Sequence, residues 1–187
     1  MRSEALVIGA SHGGFDLLLQ ILPALEAPLP TMICLHLPRG AGGDLARHLD
    51  SHCGYPVREA QDKDSLQPQT AYVAPGGYHL LVEADHSLSL SADGPVNFAQ
   101  PAIDVLFESA AAAYGNRLIG VLLSGASADG ARGLAAIAEV GGRCIVQDPA
   151  TARSSVMPAA ALQLMQPEAV LPPEEIANML NLWMCET

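Results

Sequence analysis

Ala5-Leu-Val-Ile-Gly-Ala10 is apolar without a break and runs straight into a glycine-rich turn, Ser11-His-Gly-Gly14. A short run of this kind is what a parallel strand buried on both faces requires, because helices cover both sides of such a sheet. Thr31-Met-Ile-Cys-Leu-His-Leu-Pro38, Leu118-Ile-Gly-Val-Leu-Leu123 and Arg143-Cys-Ile-Val-Gln147 repeat the pattern. Between the first two, Phe15, Leu18, Leu19, Leu22 and Leu25 have helical spacing from Gly14, and Pro28 and Pro30 end the pattern. The chain thus opens with a strand, helix, strand unit, whose crossover is expected to be right-handed.

The middle reads differently. Thr70-Ala-Tyr-Val-Ala74, Pro75-Gly-Gly77 and the alternation through Leu80, Val82, Leu88 and Leu90 predict a β-hairpin or meander. Pro101 suits the first turn of a helix carrying Ile103, Leu106, Phe107 and Ala110 and ending near Gly115-Asn116. Leu134 and Ile137 mark a further helix, and Met157 onward and Glu174 to Cys185 two more. The expected fold is a doubly wound, three-layer Rossmann-like α/β domain, its mostly parallel sheet interrupted by an antiparallel hairpin. A chain of 187 residues without internal repeat or linker is expected to form a single domain over residues 1–187.

Charge and composition remove several function classes. The formal net charge is −11 and the nine Lys and Arg residues form no run, which argues against nucleic acid and anionic membrane surfaces. No stretch approaches the roughly 20 apolar residues of a membrane span, and the N-terminal apolar run is too brief for a signal peptide, so a soluble cytoplasmic protein is expected. Cys34, Cys53, Cys144 and Cys185 lack Cys-x-x-Cys pairing and are expected to be reduced thiols. No His, Cys and carboxylate cluster has metal-ligand spacing, so neither metal nor cofactor is expected, and His48, His52 and His86 read as solvated surface residues.

Chemistry in open α/β sheets collects beyond the carboxyl ends of the strands. Ser11 follows the first strand, His36 ends the second, and Asp129 lies in the loop after the strand from Leu118. Serine needs a base within reach, and the imidazole needs a carboxylate to fix its tautomer, so these three residues can form a nucleophile, base and orienter triad. Gly9, Gly13 and Gly14 allow a tight turn that aims backbone N–H groups at an oxyanion. Other readings fit the same residues: Ser11 as a turn or cap, His36 as a core histidine, Asp129 as the cap of the following helix. Gly9-Ala-Ser-His-Gly-Gly14 could also cradle a phosphate, although it lacks Gly-x-Gly-x-x-Gly, a Walker lysine and an acidic residue after the second strand.

At these residues the chain resembles the catalytic, C-terminal domain of the chemotaxis protein-glutamate methylesterases. The likeness runs from about Ala5 to Ala161 through six blocks in order: Ile8-Gly-Ala-Ser-His-Gly-Gly14, His36-Leu-Pro38, Tyr72-Val-Ala-Pro-Gly76 with His79, Pro101-Ala-Ile-Asp-Val-Leu-Phe107, Leu123-Ser-Gly-Ala-Ser-Ala-Asp-Gly130 and Met157-Pro158. The resemblance implies hydrolysis of glutamyl methyl esters on the cytoplasmic region of methylated chemoreceptors or related signalling proteins, and sometimes deamidation of glutamine. It implies Ser11, His36 and Asp129 as the catalytic residues and backbone N–H groups near His12 and Ala126 as the oxyanion hole. A serine esterase acting on another small ester and a non-catalytic partner-binding relative stand as alternatives.

The sequence departs from the family pattern at His12, where threonine is usual, at Ala126 and Ala128, where methionine and asparagine are usual, and at Gln100, where arginine is usual. These changes bear on the oxyanion hole and substrate fit. His12 reads as a surface-facing variant, His79 as a loop residue at the cleft edge, Asp104 as a carboxylate favouring its own helix dipole, and Met157-Pro158 as a helix start bordering the site. Family members typically carry an N-terminal receiver domain. Met1 lies ten residues before Ser11, so the expectation is a chain without that domain, regulated if at all by a separate receiver protein.

Overall fold

A computed structural model describes residues 3–26 and 28–185. Seven parallel strands form one sheet: β1 (Ala5–Ala10), β2 (Thr31–Leu35), β3 (Val57–Glu59), β4 (Ala71–Val73), β7 (Leu118–Leu122), β8 (Arg143–Gln147) and β9 (Ala169–Leu171), in the order β3-β4-β2-β1-β7-β8-β9. A separate antiparallel hairpin pairs β5 (His79–Val82) with β6 (Leu88–Ser91). The helices are α1 (Gly14–Ile21), α2 (Gly43–Asp50), α3 (Ile103–Tyr114), α4 (Ala131–Glu139), α5 (Val156–Leu164) and α6 (Pro173–Cys185).

Every residue of β1 is buried, and its side chains divide by the strand period of two. Ala5 and Val7 join one apolar layer with Tyr72, Phe107, Leu134 and Met157, under the hairpin, α3, α4 and α5. Leu6, Ile8 and Ala10 join the other with Leu18, Leu49, Leu180 and Trp183, under α1, α2 and α6. This is the doubly wound, three-layer arrangement expected from the apolar runs. Burial of each large side chain contributes about 1.5–3 kcal/mol, so the two layers hold the sheet between its helices.

β1 lies between β2 and β7, and the chain winds outward from it in both directions. That reversal opens a crevice at the carboxyl ends of β1, β2 and β7. Several local expectations are corrected here. Ala71–Val73 is not part of a meander; it is a parallel strand of the main sheet, in register with Thr31–Ile33. Pro101 stands outside α3, because Ala102 is still extended (φ −106°, ψ 137°), its N–H given to the His79 ring, and helical backbone starts at Ile103. α1 ends at Ile21 rather than near Leu25, as Pro23 turns the next residues into a 3₁₀ segment, Leu22–Ala24.

Candidate active site

Ser11 is the first residue beyond β1 and His36 the first beyond β2. The β1–β2 register ends at Ala10 opposite Leu35, and the His36 N–H reaches the Ala10 carbonyl at 3.3 Å, so Ser11 and His36 follow as neighbours on the rim. The Ser11 N–H donates to the Ser124 carbonyl at 2.9 Å, which ties the loop after β1 to the loop after β7. Gly13 has the left-handed φ of 84° that turns the chain into α1. A Cβ there would come within 2.7 Å of the Arg153 Cβ, so glycine is needed on both counts.

His36 Nε2 and Asp129 Oδ2 are 2.7 Å apart. The His36 side chain is 20% exposed and that of Asp129 is fully buried. An ionised carboxylate can only accept, so Nε2 carries the proton, and in the neutral imidazole Nδ1 is left as the free lone pair. Among the described residues no hydrogen bond joins the Ser11 hydroxyl to the His36 ring. The structure thus brings His36 and Asp129 into contact, with Ser11 one residue beyond the end of the adjacent strand; hydrogen bonds to a reacting hydroxyl commonly tighten only when substrate binds.

Asp129 is held by more than His36. The Ile103 N–H donates to Oδ2 at 2.7 Å, and the Asp104 N–H and the Asn97 side-chain amide donate to Oδ1 at 3.1 Å each. Asp129 therefore caps the N-terminus of α3, not the helix that follows it. Asp104 does the converse: its Oδ1 accepts from the N–H groups of Gly130, just before α4, and of Gly133 in its first turn, both at 2.8 Å, so it serves the neighbouring helix's dipole rather than its own. Each of two packed helices is capped by a carboxylate associated with the other. Burial pushes the Asp129 carboxyl up, but the bonds from His36, Ile103, Asn97 and Asp104 outweigh it and leave it below its ordinary value. Asp104 goes the other way: burial raises it, and the nearby Asp129 charge adds to that against the bonds it accepts.

The CheB methylesterase family model matches residues 6–180. This chain belongs to that family. A relative from Leptospira interrogans, named for protein-glutamate methylesterase and protein-glutamine glutaminase activity, is 42% identical over 96% of this chain and 94% of its own length. The Symbiobacterium thermophilum protein-glutamate methylesterase/protein-glutamine glutaminase is 39% identical over 94% of this chain, which spans 49% of that protein. The CheB methylesterase catalytic domain of Thermotoga maritima superposes with a TM-score of 0.91 at 32% identity, covering 97% of this chain and 98% of that one. The methylesterase family is a hydrolase family, in keeping with the enzyme class read from the sequence.

In this CheB-family chain the expected oxyanion donors lie on the same rim. The N–H groups of His12 and Ala126 donate to no protein acceptor among the described residues, and both residues are exposed. Met157 is fully buried at the start of α5 with its N–H on the Gly125 carbonyl. His79 is not a loop residue: it begins β5, is buried, donates from Nε2 to the Gly94 carbonyl at 3.0 Å and accepts the Ala102 N–H at Nδ1 at 3.1 Å. His86 is also partly covered, stacked on Tyr114 at 4.2 Å between ring centroids, whereas His48 and His52 are exposed as expected.

Two polar residues of the site escaped sequence reading. Buried Ser124 donates to the His12 carbonyl at 2.7 Å and accepts the Ser154 N–H at 2.9 Å, pinning three rim loops together. Asn97 bridges Asp104 and Asp129. Its signal was a lone asparagine in a loop, a residue type that tolerates left-handed backbone. Two clefts flank the His36–Asp129 pair, one of about 350 Å³ along His36, Leu37, Pro95 and Gln100, the other of about 490 Å³ along Asn97, Ser127, Ala128, Arg132 and Leu164. Phe98, fully exposed, lines both. A further hollow on the β3 side, lined by Arg47, Arg58, Glu59 and Asp64, lies away from these residues.

Proposed function

We propose that this chain, acting as a single methylesterase-like catalytic domain in the cytoplasm, hydrolyses glutamyl methyl esters on methylated chemoreceptors or related sensory proteins. Ser11 is the nucleophile, His36 the base and acid, and Asp129 the orienter. The observation that carries this reading is the 2.7 Å His36–Asp129 bond, made by a carboxylate fixed by three further donors and by a histidine that follows β2 where Ser11 follows the adjacent β1.

With Nε2–H held by Asp129, the lone pair of His36 Nδ1 accepts the Ser11 proton as Oγ attacks the ester carbonyl. The oxyanion forms at the rim, where the His12 and Ala126 N–H groups and the N-terminal end of α1 favour negative charge. On collapse the C–O bond breaks, His36 returns the proton to the departing methoxide oxygen, and methanol leaves an acyl-serine. Water, deprotonated by His36, then releases the glutamate carboxylate and restores Ser11. A glutamine side chain would pass through the same acyl-serine with ammonia as the leaving group.

The test is methanol release from methylated receptor fragments. The wild type is expected to turn over, and folded Ser11→Ala, His36→Ala and Asp129→Asn variants to lose roughly 10³- to 10⁴-fold or more in kcat. Release from a small glutamyl methyl ester but not from receptor fragments would replace the substrate and keep the chemistry. Release from neither would leave a partner-binding role instead of an enzyme.

A further inference from the structure

We infer that Asn97 is a positioning residue of the catalytic pair: its side-chain amide, spanning the buried carboxylates of Asp104 and Asp129, fixes the Asp129 carboxylate and sets how tightly the His36–Asp129 pair holds its proton. The kinetic part of this inference rests on the hydrolytic reading above.

The amide has two N–H bonds and both are used, one to Asp104 Oδ2 at 2.8 Å and one to Asp129 Oδ1 at 3.1 Å. Asp104 and Asp129 are both buried, and like charges so placed repel in a medium that screens poorly. A neutral donor between them is the least costly way to keep both ionised. It also leaves Oδ2 of Asp129 free to face His36 Nε2 and the Ile103 N–H.

The backbone is built to present that amide. Val96 and Ala99 exchange N–H···O bonds of 3.1 and 2.9 Å, and the two residues between them have φ of 51° (Asn97) and 63° (Phe98). Positive φ at both central positions defines a turn that favours asparagine at the first and glycine at the second. Phenylalanine at the second is strained, and strain of this kind persists where surrounding structure imposes it. His79 supplies the imposition by bonding to Gly94 before the turn and Ala102 after it. The turn sends the Asn97 amide into the buried carboxylates and leaves Phe98 fully exposed at the mouth of both clefts.

The charged and titratable groups around Asp129 are His36 and Cys34 from β2 and its end, Asp104 from α3, and Arg132 of α4, which lines the same cleft. Removing a donor from an anion raises the proton affinity of the coupled pair, and adding a carboxylate raises it further. The acid limb of the rate profile should therefore move to higher pH in the order wild type, Asn97→Gly, Asn97→Asp. Glycine suits the left-handed backbone, so Asn97→Gly isolates loss of the amide. Asn97→Asp keeps side-chain shape and replaces the donor by a charge.

The experiment measures kcat, KM and pH profile for methanol release by both variants, with thermal unfolding alongside. Expected are a fall in kcat on the order of 10- to 100-fold at little-changed KM and an acid limb displaced upward by roughly one unit. A merely structural asparagine would lower the melting temperature and leave the limb where it is, and that result in either folded variant overturns the inference. Ring-nitrogen chemical shifts of His36 followed against pH read the same displacement without substrate, so a wild type inactive on glutamyl esters would sink the proposed function and leave Asn97 still under test.

Discussion

Asp104 and Asp129 are close in space and opposite in titration, and the difference is in what each accepts. Four donors more than offset the burial of Asp129, whereas burial and the Asp129 charge dominate at Asp104. A lowered carboxylate contributes stability above its unfolded value and loses it as pH falls through the lower folded one. A raised carboxylate costs stability while ionised, and that cost is relieved as pH falls through the raised folded value toward the ordinary 3.8. Between about pH 7 and about pH 4 the wild type is therefore expected to gain stability relative to Asp104→Asn, measured by denaturant unfolding. A difference that is flat or moves the other way would show that Asp104 is not held above its ordinary value. Asp104→Ala, which orphans the Gly130 and Gly133 N–H groups, should cost roughly 3 kcal/mol at neutral pH. None of this was visible in the sequence, where Asp104 has an adequate explanation in the first turn of its own helix.

The elements fall into two groups by how plainly they were written. β1, β2, β7 and β8 are buried on both faces and announce themselves as unbroken apolar runs. β3 and β9 have three residues each, too few for a period to show, and α2 carries two buried residues among charged ones, so none of the three was read. β4 was seen but misplaced: Tyr72-Val-Ala followed by Pro-Gly-Gly imitates a hairpin strand, while its partner is decided by a contact with β2 far away in the chain. The turns that build the rim depend on particular backbone angles instead of composition. Gly13 is one. In Gly13→Ala the left-handed φ of 84° costs about 1–2 kcal/mol, and the new methyl meets the Arg153 side chain. Both the melting temperature and kcat are expected to fall. Adding Arg153→Gly should recover only the steric part, so full recovery of stability would mean that backbone strain at residue 13 is negligible.

Across the whole molecule the net charge is −11, yet guanidinium groups stand beside the site's own carboxylates at the rim. Of the nine basic residues, three stand at the rim: Arg39 beside Gln100, Arg132 in the Asp129 cleft, and Arg153 against the turn after Ser11. An acidic receptor segment is repelled by the molecule at long range and attracted by these guanidinium groups once it arrives. The two fields differ in reach, so salt separates them. At about 0.01 M ionic strength the Debye length is about 30 Å and the global repulsion acts in full; at about 0.15 M it is about 8 Å, which removes the far field and spares contacts at the rim. The kcat/KM for an acidic methylated fragment should therefore rise between those ionic strengths and fall again toward about 1 M, where the Debye length of about 3 Å weakens the rim as well. An uncharged glutamyl methyl ester should show a flat profile over the same range. Arg132→Ala and Arg39→Ala should remove the high-salt fall for the acidic fragment while leaving the uncharged ester unaffected. A kcat/KM that declines steadily from the lowest salt would mean that the rim arginines outweigh the net charge even at a distance, and the acidity of the remaining surface would then have no part in selecting the substrate.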